Sequence, residues 1–237
     1  MDYPKALRKP FTDATKLIIG IFLNSIPFLQ WFSIGYIMEC SGLGKNKPSR
    51  NMPEWKQWGD FFLKGVVGWV IAIIYFIPAL LVASIGAFNI VMALMNTFIG
   101  KIIPAGMLEN VATGSVPPEA LTAIIQDNWT QAIPILMRAA PILFVTGILA
   151  LVAAYFIPVA MLRYLKKNNI SAAFEKKVWH NALNVKYFIS WIIMAVISTV
   201  LLALLDWIRF FGAGAAGFIA GVIGFTLIGN AISKQAK

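Results

Sequence analysis

Residues 65–83 read GVVGWVIAIIYFIPALLVA, without one charged side chain. A helix crossing roughly 30 Å of hydrocarbon needs about 20 mostly apolar residues, so this stretch alone places the chain in a bilayer. Its central Tyr75-Phe76-Ile77-Pro78 returns at Tyr155-Phe156-Ile157-Pro158, inside a second uncharged run. The chain therefore reads as all-α, a polytopic helical membrane protein. It forms a single integral membrane domain over residues 1–237, in which the repeat suggests two related halves, about 35–100 and 133–232.

Composition agrees. Hydrophobic residues make up 59% of the 237 and charged residues 13%, against roughly 45–50% and 25% in soluble globular domains. The net charge of +10 does not point to nucleic acid, because the Lys and Arg residues sit in short loops beside apolar runs. The positive-inside rule and anionic headgroups explain them there. Cys40 is the single cysteine, which excludes an intrachain disulfide and any CxxC motif. It is expected as a free thiol at the membrane edge. The first apolar stretch, interrupted by Asn24, Pro27 and Gln30, does not read as a cleaved signal peptide.

Five apolar regions stand out: Leu17 to Cys40, Phe61 to Ile103, Ile133 to Leu165, Tyr187 to Trp207 and Gly212 to Ile232. They predict about five transmembrane segments, within a range of five to seven. The second region would be roughly 65 Å long as one helix, twice the hydrocarbon thickness, so it must kink, overrun or turn back. Positive residues dominate loops 41–60 and 163–186, which read as cytoplasmic, while 104–132 reads as outside. If so, the second and third regions each cross once, with surplus length projecting outward, and the last two form a hairpin. The N-terminal tail, with Lys5, Arg8, Lys9 and Lys16, also favours the cytoplasm. One crossing by residues 17–40 would contradict that, whereas a re-entrant pair of half-helices broken near Asn24-Ser25-Ile26-Pro27 would satisfy it. Both readings remain open at this level.

Each cytoplasmic loop carries an amphipathic pattern leading into a crossing. After Pro53, Trp55, Trp58 and Phe62 follow at helical spacing opposite Lys56, Gln57, Asp60 and Lys64. In the second loop Phe174, Val178, Ala182 and Val185 oppose Lys176, Lys177, Asn181 and Asn184. Both patterns predict helices lying at the headgroups, with Trp55, Trp58 and Phe174 as interfacial anchors.

The run Gly35-Tyr36, then Met52-Pro53-Glu54-Trp55-Lys56-Gln57-Trp58-Gly59-Asp60, then Phe62, Gly65, Tyr75 and Pro78, resembles a family of archaeal and bacterial integral membrane proteins of unknown function. The resemblance covers most of the chain and is densest over about residues 3–85. It implies membrane residence and a prokaryotic, often archaeal, source. It implies no catalytic residue.

The candidate sites are few. Tyr75, Pro78, Tyr155 and Pro158 either mark kinked helices or line a mid-bilayer cavity. Asn24 and Gln30 either hydrogen-bond neighbouring helices or contribute to a ligand site. Ala213, Gly217 and Gly221 form a small-residue stripe suited to close helix packing, within the chain or between copies. Asp206 and Arg209 share a helix end where capping explains them, and Arg138 sits at the outer end of its segment. Asn128 opens a glycosylation tripeptide on the outer side. His180 is the only histidine, and the chain has no HExxH, GxSxG, Walker or GxGxxG sequence. These features predict no enzyme, no cofactor and no metal. The expected role is membrane organisation or assembly, motivated by interfacial tryptophans and a shortage of buried charge. Membrane lipids are the expected partners, with a membrane-protein partner or homo-oligomer and no nucleic acid. The alternative is a small-molecule or ion transporter or permease subunit with a cavity between the YFIP-bearing helices. Such a cavity would show as a polar pocket, whereas the organising role predicts tight packing there.

Overall fold

The computed structural model describes residues 3–44, 51–97, 122, 129–205 and 207–233, and every regular element among them is helical. In order these are α1 (Tyr3–Arg8), a 3-10 turn (Lys9–Thr12), α2 (Ala14–Ser25), α3 (Gln30–Cys40), α4 (Trp58–Thr97), α5 (Trp129–Lys167), a second 3-10 turn (Ile170–Phe174), α6 (Lys176–Ala182), α7 (Val185–Leu205) and α8 (Gly212–Ser233). Four of them, α4, α5, α7 and α8, are long and apolar enough to cross a membrane. Most of the expected outer loop, Asn128 and Asp206 lie outside the described residues.

The first apolar region, Leu17 to Cys40, is a broken pair of helices rather than one long helix. Asp13 caps α2 by accepting from the Lys16 backbone N–H at 3.1 Å, and the helix stops two residues before Pro27, which cannot continue it. Ile26 is extended and Phe28 has φ 68°, a left-handed conformation costly for a residue with a Cβ. The arms hold 12 and 11 residues, roughly 17 Å each, so neither could cross alone. They fold back on each other. The Lys9 ammonium donates to the Cys40 carbonyl at 2.7 Å, and the Trp55 indole N–H donates to the Lys16 carbonyl at 3.4 Å. The start of α2 and the end of α3 therefore share one end. Gly42, at φ 73°, turns the chain out of α3 as a C-terminal glycine commonly does.

The chain divides into two compact units, Met1–Tyr75 with Ala153–Lys237, and Phe76–Val152. In the larger unit α8 is central: 72% of its most apolar stretch is buried, against 6% for α7. The most buried span is also the least apolar of the four, because its faces meet protein rather than a hydrophobic solvent. Phe218 and Val222 of α8 pack with Leu23, Tyr36 and Phe61, and Ile228 and Ile232 pack with Met38, Val159 and Leu162. α3 and α4 meet backbone to backbone. A Cβ on Gly35 would lie 1.9 Å from the Phe61 carbonyl oxygen, and one on Gly65 would lie 1.7 Å from that of Trp31. In the smaller unit the second half of α4 packs on the first half of α5, where a Cβ on Gly86 would meet Ile142 at 2.7 Å.

Neither amphipathic expectation holds as drawn. Helix α4 begins at Trp58 and residues 51–57 are irregular, so Trp55 and Trp58 do not share a helical face. Trp55 is buried, its ring stacked on Tyr36 at 3.8 Å and 6°, while Trp58 remains exposed. In the second loop the expected stripe divides: Val178 and Ala182 lie on one face of α6 and are buried in the protein core, while Phe174 and Val185 outside that helix are exposed. Phe174 stacks on Tyr75.

The Gly35 and Gly65 contact is directly testable. Gly65→Val should lower the thermal unfolding midpoint of the detergent-solubilised protein, at a cost of about 1–3 kcal/mol or a loss of folding. Gly59→Ala, whose Cβ meets nothing within 4 Å, should stay within about 0.5 kcal/mol of the parent. Equal effects would show that the α3 and α4 backbones do not meet there.

Candidate functional site

The expected shortage of buried charge is overturned at the end where α2 starts and α3 stops. Glu39 and Lys64 are 1% and 4% exposed, Lys9 3% and Arg163 8%. The Lys64 ammonium donates to the Glu39 carboxylate and to Asp60 at 2.5 Å. One lysine thus bridges the last turn of α3 and the first turn of α4. Glu39 also presses on the backbone beyond its helix, since a Cβ on Gly44 would lie 2.3 Å from Oε1. Lys16 joins Asp13 at 3.3 Å and Glu54 at 2.6 Å, with the Glu54 bond, then that to Asp13, holding its ammonium above the ordinary range against a burial penalty. Burial has the larger say at Lys9, lowering its ammonium below the usual value.

A third ion group ties the end of α5 to the turn after it. Arg163 donates to Glu175 at 2.9 Å, and Lys167 donates to its other oxygen. Those two bonds, Lys167 first, hold the Glu175 carboxyl below the usual carboxylate range. The contact therefore stabilises above the unfolded carboxyl's pKa and weakens as pH falls through the folded value. Among the described residues no group of three or more His, Cys, Asp or Glu is placed to hold a metal ion.

The candidates named from sequence land elsewhere, and most are occupied by the protein itself. Asn24 donates its side-chain amide to the Gly214 carbonyl at 2.9 Å, covering the start of α8. Gln30 opens α3 and is half-buried. The Tyr75 hydroxyl donates to the Ala173 carbonyl at 2.7 Å, and the Tyr155 hydroxyl donates to the Ala182 carbonyl. Neither tyrosine serves the carbonyl freed by its own proline. For Pro158 that carbonyl belongs to Ala154, four residues back, and the Trp191 indole N–H takes it at 3.1 Å. Tyr187 donates to the neighbouring Tyr155 carbonyl. Pro78 lies inside the continuous α4. In the small-residue stripe, Gly221 faces Ile37 of α3 and Gly217 faces the Asn24 amide, while Ala213 is exposed. The contact with α7 falls off this stripe, at Gly224 against Met194.

Sequence reading missed Glu39 and placed Lys64 on a polar helix face rather than in a buried pair. The available signal was that each is a lone charge at the edge of an apolar run, and an ionisable residue there is expected to have a partner.

Residues 18–232 match the family model described as protein of unknown function (DUF4013), and the chain belongs to that family. No curated protein and no solved structure matches it.

Breaking the buried pair should be costly. Glu39→Gln leaves the Lys64 charge in a site where its partner is 0% exposed, and should cost about 3–5 kcal/mol. Asp60→Asn, at a side chain 27% exposed, should cost about 1 kcal/mol or less. Cys40, 1% exposed beside Glu39, reports on the change. Maleimide labelling should be slow in the parent and in Asp60→Asn but fast in Glu39→Gln; uniform slow labelling would mean that the pair does not hold the hairpin.

Proposed function

We propose that this DUF4013 member is a non-enzymatic membrane protein that organises lipid or supports assembly with other membrane components. One observation carries the reading. The side chains that would line a transport cavity, Asn24, Tyr75 and Tyr155, donate instead to backbone carbonyls of their own chain. Tyr155 is further packed by Tyr187, Phe188 and Trp191. A substrate path there would have to break these contacts. The outer face of α7, with Phe188, Ile192, Val196 and Val200 exposed, offers surface to lipid or to a partner helix.

The proposed topology has four crossings and a re-entrant hairpin formed by α2 and α3. Lys9, Lys16 and Lys64 gather where the hairpin opens, and the ends of loops 41–60 and 163–186 are basic, which favours the cytoplasmic side. The hairpin returns the chain to the side it came from, so the basic N-terminal tail stays cytoplasmic as well. Residues 104–132 then lie outside, in a multi-pass protein of the cell membrane.

Reconstituted protein should give no solute flux above empty vesicles, and native mass spectrometry of protein taken from its own membranes should show retained lipid or a defined second subunit. Flux that Asn24→Ala or the pair Tyr75→Phe and Tyr155→Phe abolishes would replace this reading with the transporter.

A further inference from the structure

Within the smaller unit, the second half of α4 and the first half of α5 enclose a cleft of about 260 Å³. Gly86, Ile90 and Ile142 form apolar walls, and Asn89 and Arg138 supply its polar groups. The bare Cα of Gly86 sets the helix spacing at its floor. Arg138 has no acidic partner among the described residues.

The position along the helices identifies the occupant. About 20 residues cross the hydrocarbon. Counted forward from Lys64, α4 has crossed by about residue 84, and counted back from Arg163, α5 enters by about residue 143. Asn89 and Arg138 each lie about five residues further, roughly 7 Å. The headgroup layer adds about 5–8 Å to each side of the hydrocarbon, so both polar groups fall at the depth of lipid phosphates. A guanidinium presents paired N–H donors that match phosphate oxygens, and the apolar walls suit a glycerol backbone and the start of an acyl chain.

We propose that this cleft binds an anionic phospholipid, with Arg138 holding its phosphate, Asn89 donating to the headgroup or ester oxygens, and the apolar walls taking the chain. The inference rests on the membrane-organising reading above and names the lipid class. A soluble phosphate would gain nothing from the walls, and a zwitterionic lipid would bring a second cation next to Arg138.

The test uses full-length, delipidated protein titrated in native mass spectrometry with phosphatidylglycerol or phosphatidylcholine of the same chain length. The parent should prefer phosphatidylglycerol. Arg138→Gln should weaken phosphatidylglycerol binding by about tenfold, the scale of one lost charge-assisted hydrogen bond. Arg138→Lys should keep part of it, and Met137→Gln, at an exposed neighbour, should leave it unchanged. Unchanged circular dichroism and elution volume show that a variant is folded. Three outcomes overturn the proposal: Arg138→Gln binding as well as the parent, equal binding of both lipids, or displacement of phosphatidylglycerol by millimolar inorganic phosphate, which marks a free-anion site. A parent that retains neither lipid yet assembles with a second subunit defeats this proposal and leaves the organising reading standing. Lipid selectivity that depends on Arg138 in a protein that also catalyses solute flux does the reverse.

Discussion

Hydrocarbon offers no partner to a bare peptide group, and in the proposed re-entrant topology the larger unit contains a place where that constraint bites. Between Ser25 and Gln30 the chain leaves helical geometry, and its polar backbone has to be bonded or covered by protein. The Gln30 N–H reaches the Ile26 carbonyl at 3.1 Å and that of Trp31 reaches Phe28 at 3.4 Å, which closes the turn internally. Asn24 and Ser25 then press against the first turn of α8 at Gly214. A thin helix is needed to come that close. Gly214 and Gly217 of α8 serve that cover, while Gly221 admits Ile37 of α3 and Gly224 admits Met194 of α7.

At the other end of the hairpin charge acts beside close packing. A buried ion pair is a weak source of net stability, because desolvating both partners offsets most of their attraction. Its effect lies in discrimination. With Glu39 inside, only an arrangement that presents Lys64 to it leaves neither charge alone, and sliding α3 along α4 by a turn would break the match. The same slide would drive Gly35 and Gly65 out of register and put a side chain where a carbonyl now sits. Charge and close approach therefore specify one register by independent means.

How much of this was legible in the sequence depended on what each signal measures. The long apolar helices were legible because each holds at least the roughly 20 apolar residues that a crossing needs, and Pro27 marked the break in the first region. Which surface an apolar stripe meets was not legible. Val178 and Ala182 repeat at helical spacing whether the face lies on headgroups or, as here, on the core. Trp55 and Trp58 have the spacing of a helix, but Trp55 precedes α4 and its aromatic ring found Tyr36. Gly217 and Gly221 signalled close packing without saying against what. Glu39, inside the first apolar region, gave no sign of its partner, which lies 25 residues away in sequence.

The doubled YFIP shows how identical letters can serve one end by different contacts. Tyr75 and Tyr155 come from separate long helices, and their hydroxyls reach carbonyls at Ala173 and Ala182, the two flanks of the segment that holds α6. The proline of the second copy also frees the Ala154 carbonyl, to which the Trp191 indole N–H of α7 donates. Side-chain donors thus pin α4 and α5 to one short piece of chain and α7 to α5. A transporter that rocks its helices around a central site must break and remake such links in every cycle. Two links to a common segment, a third between α7 and α5, and the bonds of Glu175 to Arg163 and Lys167 oppose that motion, which is the physical reason for preferring a static, organising role over an alternating one.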